Sequence, residues 1–184
     1  MLHHPLTDDV VLRLPEESDA DAVAALIAAN RPYLARWMPW AAGNDRDATL
    51  AFIRATRRQI GDNDGFHTVI ERGGRPIGMV GFHGVDWQHR STSIGYWLAE
   101  DQQGQGIMTR AVRSLVDHAI GAWRLNRIEI RAGVENLPSR RIPERLGFRE
   151  EGRLLQVERV GGRWVDFVLY AMLAADWPDQ ASPS

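Results

Sequence analysis

A change of hydrophobic period in the middle of the chain limits what it can fold into more than any other feature. Tyr96-Trp97-Leu98 closes a strand-like run, and a polar turn holding Gly104 and Gly106 follows. Beyond Thr109 the apolar residues Val112, Leu115, Val116 and Ala119 recur at helical spacing. The pattern predicts a strand that passes through a glycine turn into an amphipathic helix starting near Gly104. A helix start leaves several backbone N–H groups without partners and carries the positive end of the helix dipole. Glycines there let an anion come close to the backbone, because no Cβ stands in the way. A glycine turn that binds nothing is the alternative these residues leave open.

Two familiar phosphate loops are excluded. The dinucleotide fingerprint needs a third glycine where Thr109 stands, and a P-loop needs a lysine, which the chain lacks altogether. With no lysine there is no Schiff-base chemistry, and with no cysteine there is no disulfide, thiolate metal site or thiol nucleophile. Acyl transfer in such a chain goes directly from donor to acceptor, or through Ser, Thr or a carboxylate. The six histidines show no metal-ligand spacing beside carboxylates, so no metal is expected, and His67 and His83 read as structural strand residues.

A formal charge of −2 gives no electrostatic case for nucleic acid. No run approaches the roughly 18 apolar residues of a spanning helix, so no membrane association is expected. The first residues lack the basic-then-apolar order of a signal peptide, which makes the cytoplasm the expected compartment. At 184 residues one domain is the simplest organisation, over residues 1–175, with a disordered tail at 176–184.

In order, Val10 to Leu14 reads as a strand. Ser18 with Asp21 caps a helix whose stripe is Ala22, Val23, Leu26 and Ile27. Tyr33 to Trp40 is an aromatic loop broken by prolines, either pinned by its own rings or forming a substrate wall. A helix from about Asp47 turns Leu50, Ile53 and Ile60 inward. Strands follow at Phe66–Arg72, Pro76–Phe82 and Ser91–Leu98, then the long helix to about Trp123, and a strand at Arg127–Ala132. Asn136 to Ser139 opens a short helix that closes at Leu146-Gly147-Phe148. A last hairpin runs from Leu154 to Val160 and from Arg163 to Met172. The fold class is mixed α/β, with about seven strands and flanking helices.

Gln103-Gly104-Gln105-Gly106-Ile107-Met108-Thr109, directly after the Ile94–Leu98 strand, resembles the acyl-CoA pyrophosphate loop of the GNAT N-acetyltransferase superfamily. Its pattern is Gln/Arg-x-x-Gly-x-Gly/Ala, and Asp101 departs from it at the first position. The resemblance implies a GNAT-like acyl-CoA N-acyltransferase fold, acetyl-CoA as co-substrate, and contacts to it from Leu98 and from residues 103–109. Asn136-x-x-Ser139 with Gly147-Phe148 is similar to the family segment that lines the pantetheine arm, which adds Asn136 to the set. Locally, Asn136 also reads as a helix N-cap.

The aromatic loop and the stretch Asp166 to Ala171 resemble the Rim-type branch, the ribosomal-protein N-terminal acetyltransferases. The family's usual acid, a tyrosine, is replaced here by Pro143. In this branch a serine at the Ser139 position is the suggested acid and a glutamate at the Glu158 position the base, with Trp37 and Trp40 beside the acceptor. Ser139 also reads as a polar first-turn residue and Glu158 as an exposed strand carboxylate. The resemblance thus implies acetyl transfer to a primary amine, either a protein N-terminus or a small molecule, and by analogy a homodimer. A non-catalytic acyl-CoA-binding module on the same fold is the other reading.

Overall fold

The computed structural model describes residues 3–178. Eight strands form one sheet: β1 (His3–Pro5), β2 (Val10–Arg13), β3 (His67–Arg72), β4 (Arg75–Asp86), β5 (Ser91–Leu98), β6 (Arg127–Gly133), β7 (Arg149–Val160) and β8 (Arg163–Leu173). Their spatial order is β1-β2-β3-β4-β5-β6-β8-β7. The helices are α1 (Ala20–Ala29), α2 (Arg31–Leu34), α3 (Arg46–Gly61), α4 (Ile107–Gly121) and α5 (Leu137–Arg145). The sheet has one strand more than expected because His3–Pro5 pairs with β2. Three residues ending in proline carry no alternation to read.

Every neighbouring pair is antiparallel except β5 and β6, which are parallel because α4 makes the crossover between them. Strand alternation divides the apolar residues between the two faces. Ile70 and Val80 face a core closed by Ala111, Val112, Leu115 and Val116 of α4, while Val69 and Met79 face Val23, Ile27 and Leu34.

Several local expectations are corrected. The capping box is formed by Glu16 and Asp19, not by Ser18 and Asp21, and it closes a single 3-10 turn, Glu17–Asp19, that leads into α1. Asp19 is drawn inward by Arg13 at 2.7 Å and also accepts from the Glu16 amide at 2.7 Å. Ala22 is exposed, and the buried positions are Ala20, Val23 and Ile27. On α3 the inward residues are Thr49, Ile53 and Thr56, with Ile60 exposed. Residues 176–178 depart from the expected disordered tail. Trp177 is buried, meets Phe148 edge-on and donates its indole N–H to Asp117 at 2.7 Å. The rest of that expected tail, 179–184, lies outside the described residues.

The feature that matters for function is where the sheet opens. β5 and β6 pair only at Ser91 with Arg127, Thr92 with Ile128 and Ser93 with Glu129. Beyond that base β5 stays paired to β4 as far as Leu98, and β6 stays paired to β8 as far as Gly133. Each strand keeps its outer partner and loses its inner one, so a wedge opens toward their C-terminal ends.

Candidate active site

The wedge leads into a cavity of about 790 Å³. At one end stands the glycine turn. Gly104 and Gly106 have φ of +75° and +73°, a left-handed conformation that residues with a Cβ adopt only under strain. Gly106 is the N-cap residue of α4, so the helix starts at Ile107, slightly later than the sequence pattern places it. The amides of its first turn have no intrahelical partner, and Gln103, Gly104, Gly106, Ile107, Met108 and Thr109 all border the cavity, as does Leu98. With no acidic side chain in that first turn, the positive end of α4 is left open to an anion.

Gln105 is the exception in the expected set. Its side chain does not border the cavity but accepts a hydrogen bond from Arg72 at 2.9 Å, as Gln102 does at 2.9 Å. Arg72 on β3 therefore fastens the turn from behind. Asp101 lies exposed in a single helical turn ahead of the glycines and is not among the residues bordering the cavity.

The middle of the cavity is built from α5 and β5. Asn136 caps α5, its Oδ1 accepting from the Ser139 amide at 3.3 Å, so the capping role is real and coexists with a place in the cavity wall. Ser139 Oγ donates to the Tyr96 hydroxyl at 3.3 Å, and that hydroxyl donates to the Ser139 carbonyl at 3.0 Å. Burial pushes the Tyr96 phenol well above its ordinary range, so it stays neutral. Ser139 thus borders the cavity with its hydroxyl held by a defined neighbour.

The aromatic loop spans the mouth of the wedge. Trp40 packs on Trp97 of β5 with ring centroids 6.2 Å apart, while the ring of Trp37 stands 3.7 Å from where a Cβ on Gly133 of β6 would lie. Both tryptophans border the cavity.

Glu158 reaches it by a different device. Leu154 of β7 faces Phe167 of β8, but Glu158 already faces Val165, so the β7 backbone bulges between them. Gln156 takes φ +50° inside the bulge, and its N–H donates to Asp166 at 2.8 Å. Bulges re-aim side chains, and this one turns Glu158 onto the cavity. Among the described residues no cation pairs with Glu158, and burial raises its carboxyl above the usual carboxylate range. The arrangement therefore places an anion cradle, a hydroxyl and an unpaired carboxylate along one cavity, with aromatic rings at its mouth.

Residues 9–149 match the acetyltransferase (GNAT) domain. The chain belongs to the GNAT acetyltransferase family. YdaF, a candidate ribosomal N-acetyltransferase of Bacillus subtilis (strain 168), is 36% identical over 174 residues, which covers 94% of this chain and 95% of that protein. The ribosomal-protein-serine acetyltransferase of Escherichia coli (strain K12) is 27% identical over 178 residues, covering 91% and 94%. Among solved structures, the microcin C7 self-immunity acetyltransferase MccE in complex with acetyl-CoA and AMP superposes with a TM-score of 0.85 at 27% identity, covering 91% of this chain and 94% of that one. This GNAT enzyme is an acetyl-CoA-dependent N-acetyltransferase that moves an acetyl group to an amine.

The GNAT cavity also contains residues that sequence reasoning passed over. In sequence Tyr96 is simply part of a strand, and His67 and His83 look structural, yet all three border it, as does Arg131. Isolated glycines within strands, here Gly81 and Gly95, were the available signal, since they mark places where another group comes close.

Proposed function

We propose that the acceptor is the N-terminal α-amine of a protein, with ribosomal proteins as the class that the names of two relatives support. The observation that carries the reading is the unpaired Glu158 in the same cavity as the α4 amides and Ser139. An α-amine has a pKa near ~7.7–8.0, so a carboxylate that attracts the ammonium and takes its proton, directly or through one water, is sufficient help at neutral pH. In this reading the α4 amides hold the pyrophosphate of acetyl-CoA. The amine attacks the thioester carbonyl, Glu158 receives its proton, and the Ser139 hydroxyl stabilises or protonates the departing thiolate. Trp37 and Trp40 flank the entering chain. Acting on ribosomal proteins places the enzyme in the cytoplasm, and among the described residues no helix is long and apolar enough to cross a membrane.

Release of free CoA, measured with a panel of N-terminal peptides beside polyamines and amino-acid amides, tests the proposal. Peptides are expected to be turned over with the higher kcat/KM. Turnover confined to the small amines would replace the protein acceptor with a small one, and the reaction would stand.

A further inference from the structure

Two histidines that this mechanism leaves unused also border the cavity, in an unusual posture for strand residues. His67 of β3 is opposite Gly81 of β4, and Gly81 is in turn opposite Gly95 of β5. His83 lies two residues beyond Gly81 and so projects from the same face. A Cβ on Gly81 would overlap the His67 ring, and one on Gly95 would overlap Nε2 of His83. Both imidazoles therefore lie down across the neighbouring strand, in a trough that the two glycines leave vacant. Phe52 of α3 holds His67 edge-on at 5.1 Å between centroids, and the His83 ring meets it at 6.1 Å. His83 thereby carries its Nε2 to β5, the strand that forms one side of the wedge.

No hydrogen bond from another described residue reaches either ring. Burial brings His67 down to about 4, so that ring is neutral at working pH, and partial desolvation with the nearby Arg131 guanidinium lowers His83, which keeps an exposed face. A neutral imidazole offers one N–H donor and one bare acceptor nitrogen. A hydroxyl, which gives one hydrogen and accepts another, matches such a floor. An ammonium would meet the field of Arg131, and a carboxylate would find that guanidinium already paired with Glu129 at 3.1 Å.

We propose that the His67–His83 trough is a subsite for an uncharged, hydroxyl-bearing side chain next to the acceptor amine. It rests on the amine-acceptor reading above and specifies what accompanies the amine. The test uses acceptors that differ by one hydroxyl: peptides beginning with serine or alanine, and serinamide against alaninamide. The parent is expected to favour the hydroxyl member in kcat/KM by roughly tenfold, the scale of one well-made hydrogen bond. His83→Phe should bring that ratio close to one. Gly95→Ala should do the same while keeping both imidazoles, because the new Cβ takes the place of the His83 ring. Acetyl-CoA binding by calorimetry serves as the check that each variant is folded. A parent ratio near one, or a ratio that survives both substitutions, would overturn the subsite.

If neither member of either pair is acetylated, the reading of an N-terminal α-amine as acceptor fails, and the subsite is judged separately. Imidazole nitrogen resonances that move with serinamide and not with alaninamide would support it, and resonances that ignore both would overturn it.

Discussion

Pro143 leaves the Ser139 carbonyl without its helical donor, and the Tyr96 hydroxyl donates to that carbonyl at 3.0 Å. In an unbroken helix the N–H of residue 143 would bond the carbonyl four residues earlier, and proline has no N–H. A strand residue therefore supplies what the helix lacks and ties α5 to β5 across the cavity wall. The same phenol oxygen accepts from Ser139 Oγ, so Pro143 also sets the surroundings of the serine.

Tyr96→Phe is expected to lower kcat by about tenfold with little change in acetyl-CoA affinity, since it releases the Ser139 hydroxyl from its neighbour. Ser139→Ala should lower kcat further, within the ~10²–10⁴-fold range of acid–base help. If the two act as a unit, the double variant will be little worse than Ser139→Ala alone. Strictly multiplicative losses in such a cycle would show that Tyr96 does not act through Ser139.

Gly104→Val and Gly106→Val should each weaken acetyl-CoA binding at least tenfold. A β-branched residue at φ near +75° strains the turn by about 1–2 kcal/mol and also screens the α4 amides. Calorimetry on folded variants checks this, and parental affinity in both would move the pyrophosphate elsewhere.

Glu158→Gln should lower kcat/KM for amines, with the deficit narrowing as pH rises toward the pKa of the amine, because a free amine already neutral needs no base. A stability effect of opposite sign should accompany it. The folded-state pKa of Glu158 is raised, so both states hold the proton at low pH, and the folded parent alone carries a poorly solvated charge at high pH. The variant's melting temperature should therefore pull ahead of the parent's as pH rises through the carboxylate range, and level off above it. Equal melting temperatures at pH 4 and pH 8 would contradict the burial of that carboxylate.

His67 makes an acid-side prediction. Its folded pKa is lowered from 6.5 to about 4, so its contribution is fully present above pH 6.5 and is lost as pH falls toward 4. At ~1.4 kcal/mol per pH unit, the cost of charging it reaches about 3 kcal/mol. Denaturant melts of parent and His67→Phe, run from pH 7 to pH 4, should diverge in the parent's disfavour by an amount of that order.

The parts of this fold that could be read from sequence are those written in local pattern. The change of period around Gly104 and Gly106 announced β5, the turn and α4, and Asn136 announced the start of α5. What could not be read depends on partners distant in the chain. Gln105 belongs to the glycine turn in sequence, yet Arg72 of β3 draws its side chain away. Glu158 stands out in sequence only through a family likeness, and its aim depends on the bulge in which Asp166 accepts from the Gln156 amide. His67 and His83 look like ordinary strand histidines until Gly81 and Gly95 are known to lie opposite one another, and register is a tertiary fact.

Among the described residues the two halves of the sheet are joined at the base of the wedge, by three residue pairs and by the Asn126 N–H donating to the Arg90 carbonyl just below them at 2.7 Å. Above them, Ile94 to Leu98 and Ile130 to Gly133 carry inner-edge amides and carbonyls with no strand between them, and water must satisfy these groups whenever the cavity is empty. An extended molecule with amide groups of its own, entering between the two edges, would complete the ladder that β5 and β6 leave unfinished. Occupancy then changes the mechanical continuity of the sheet as well as the contents of a pocket. With the wedge empty the sheet is continuous only at Ser91–Ser93, and an occupant that paired with both edges would extend that continuity toward Leu98 and Gly133.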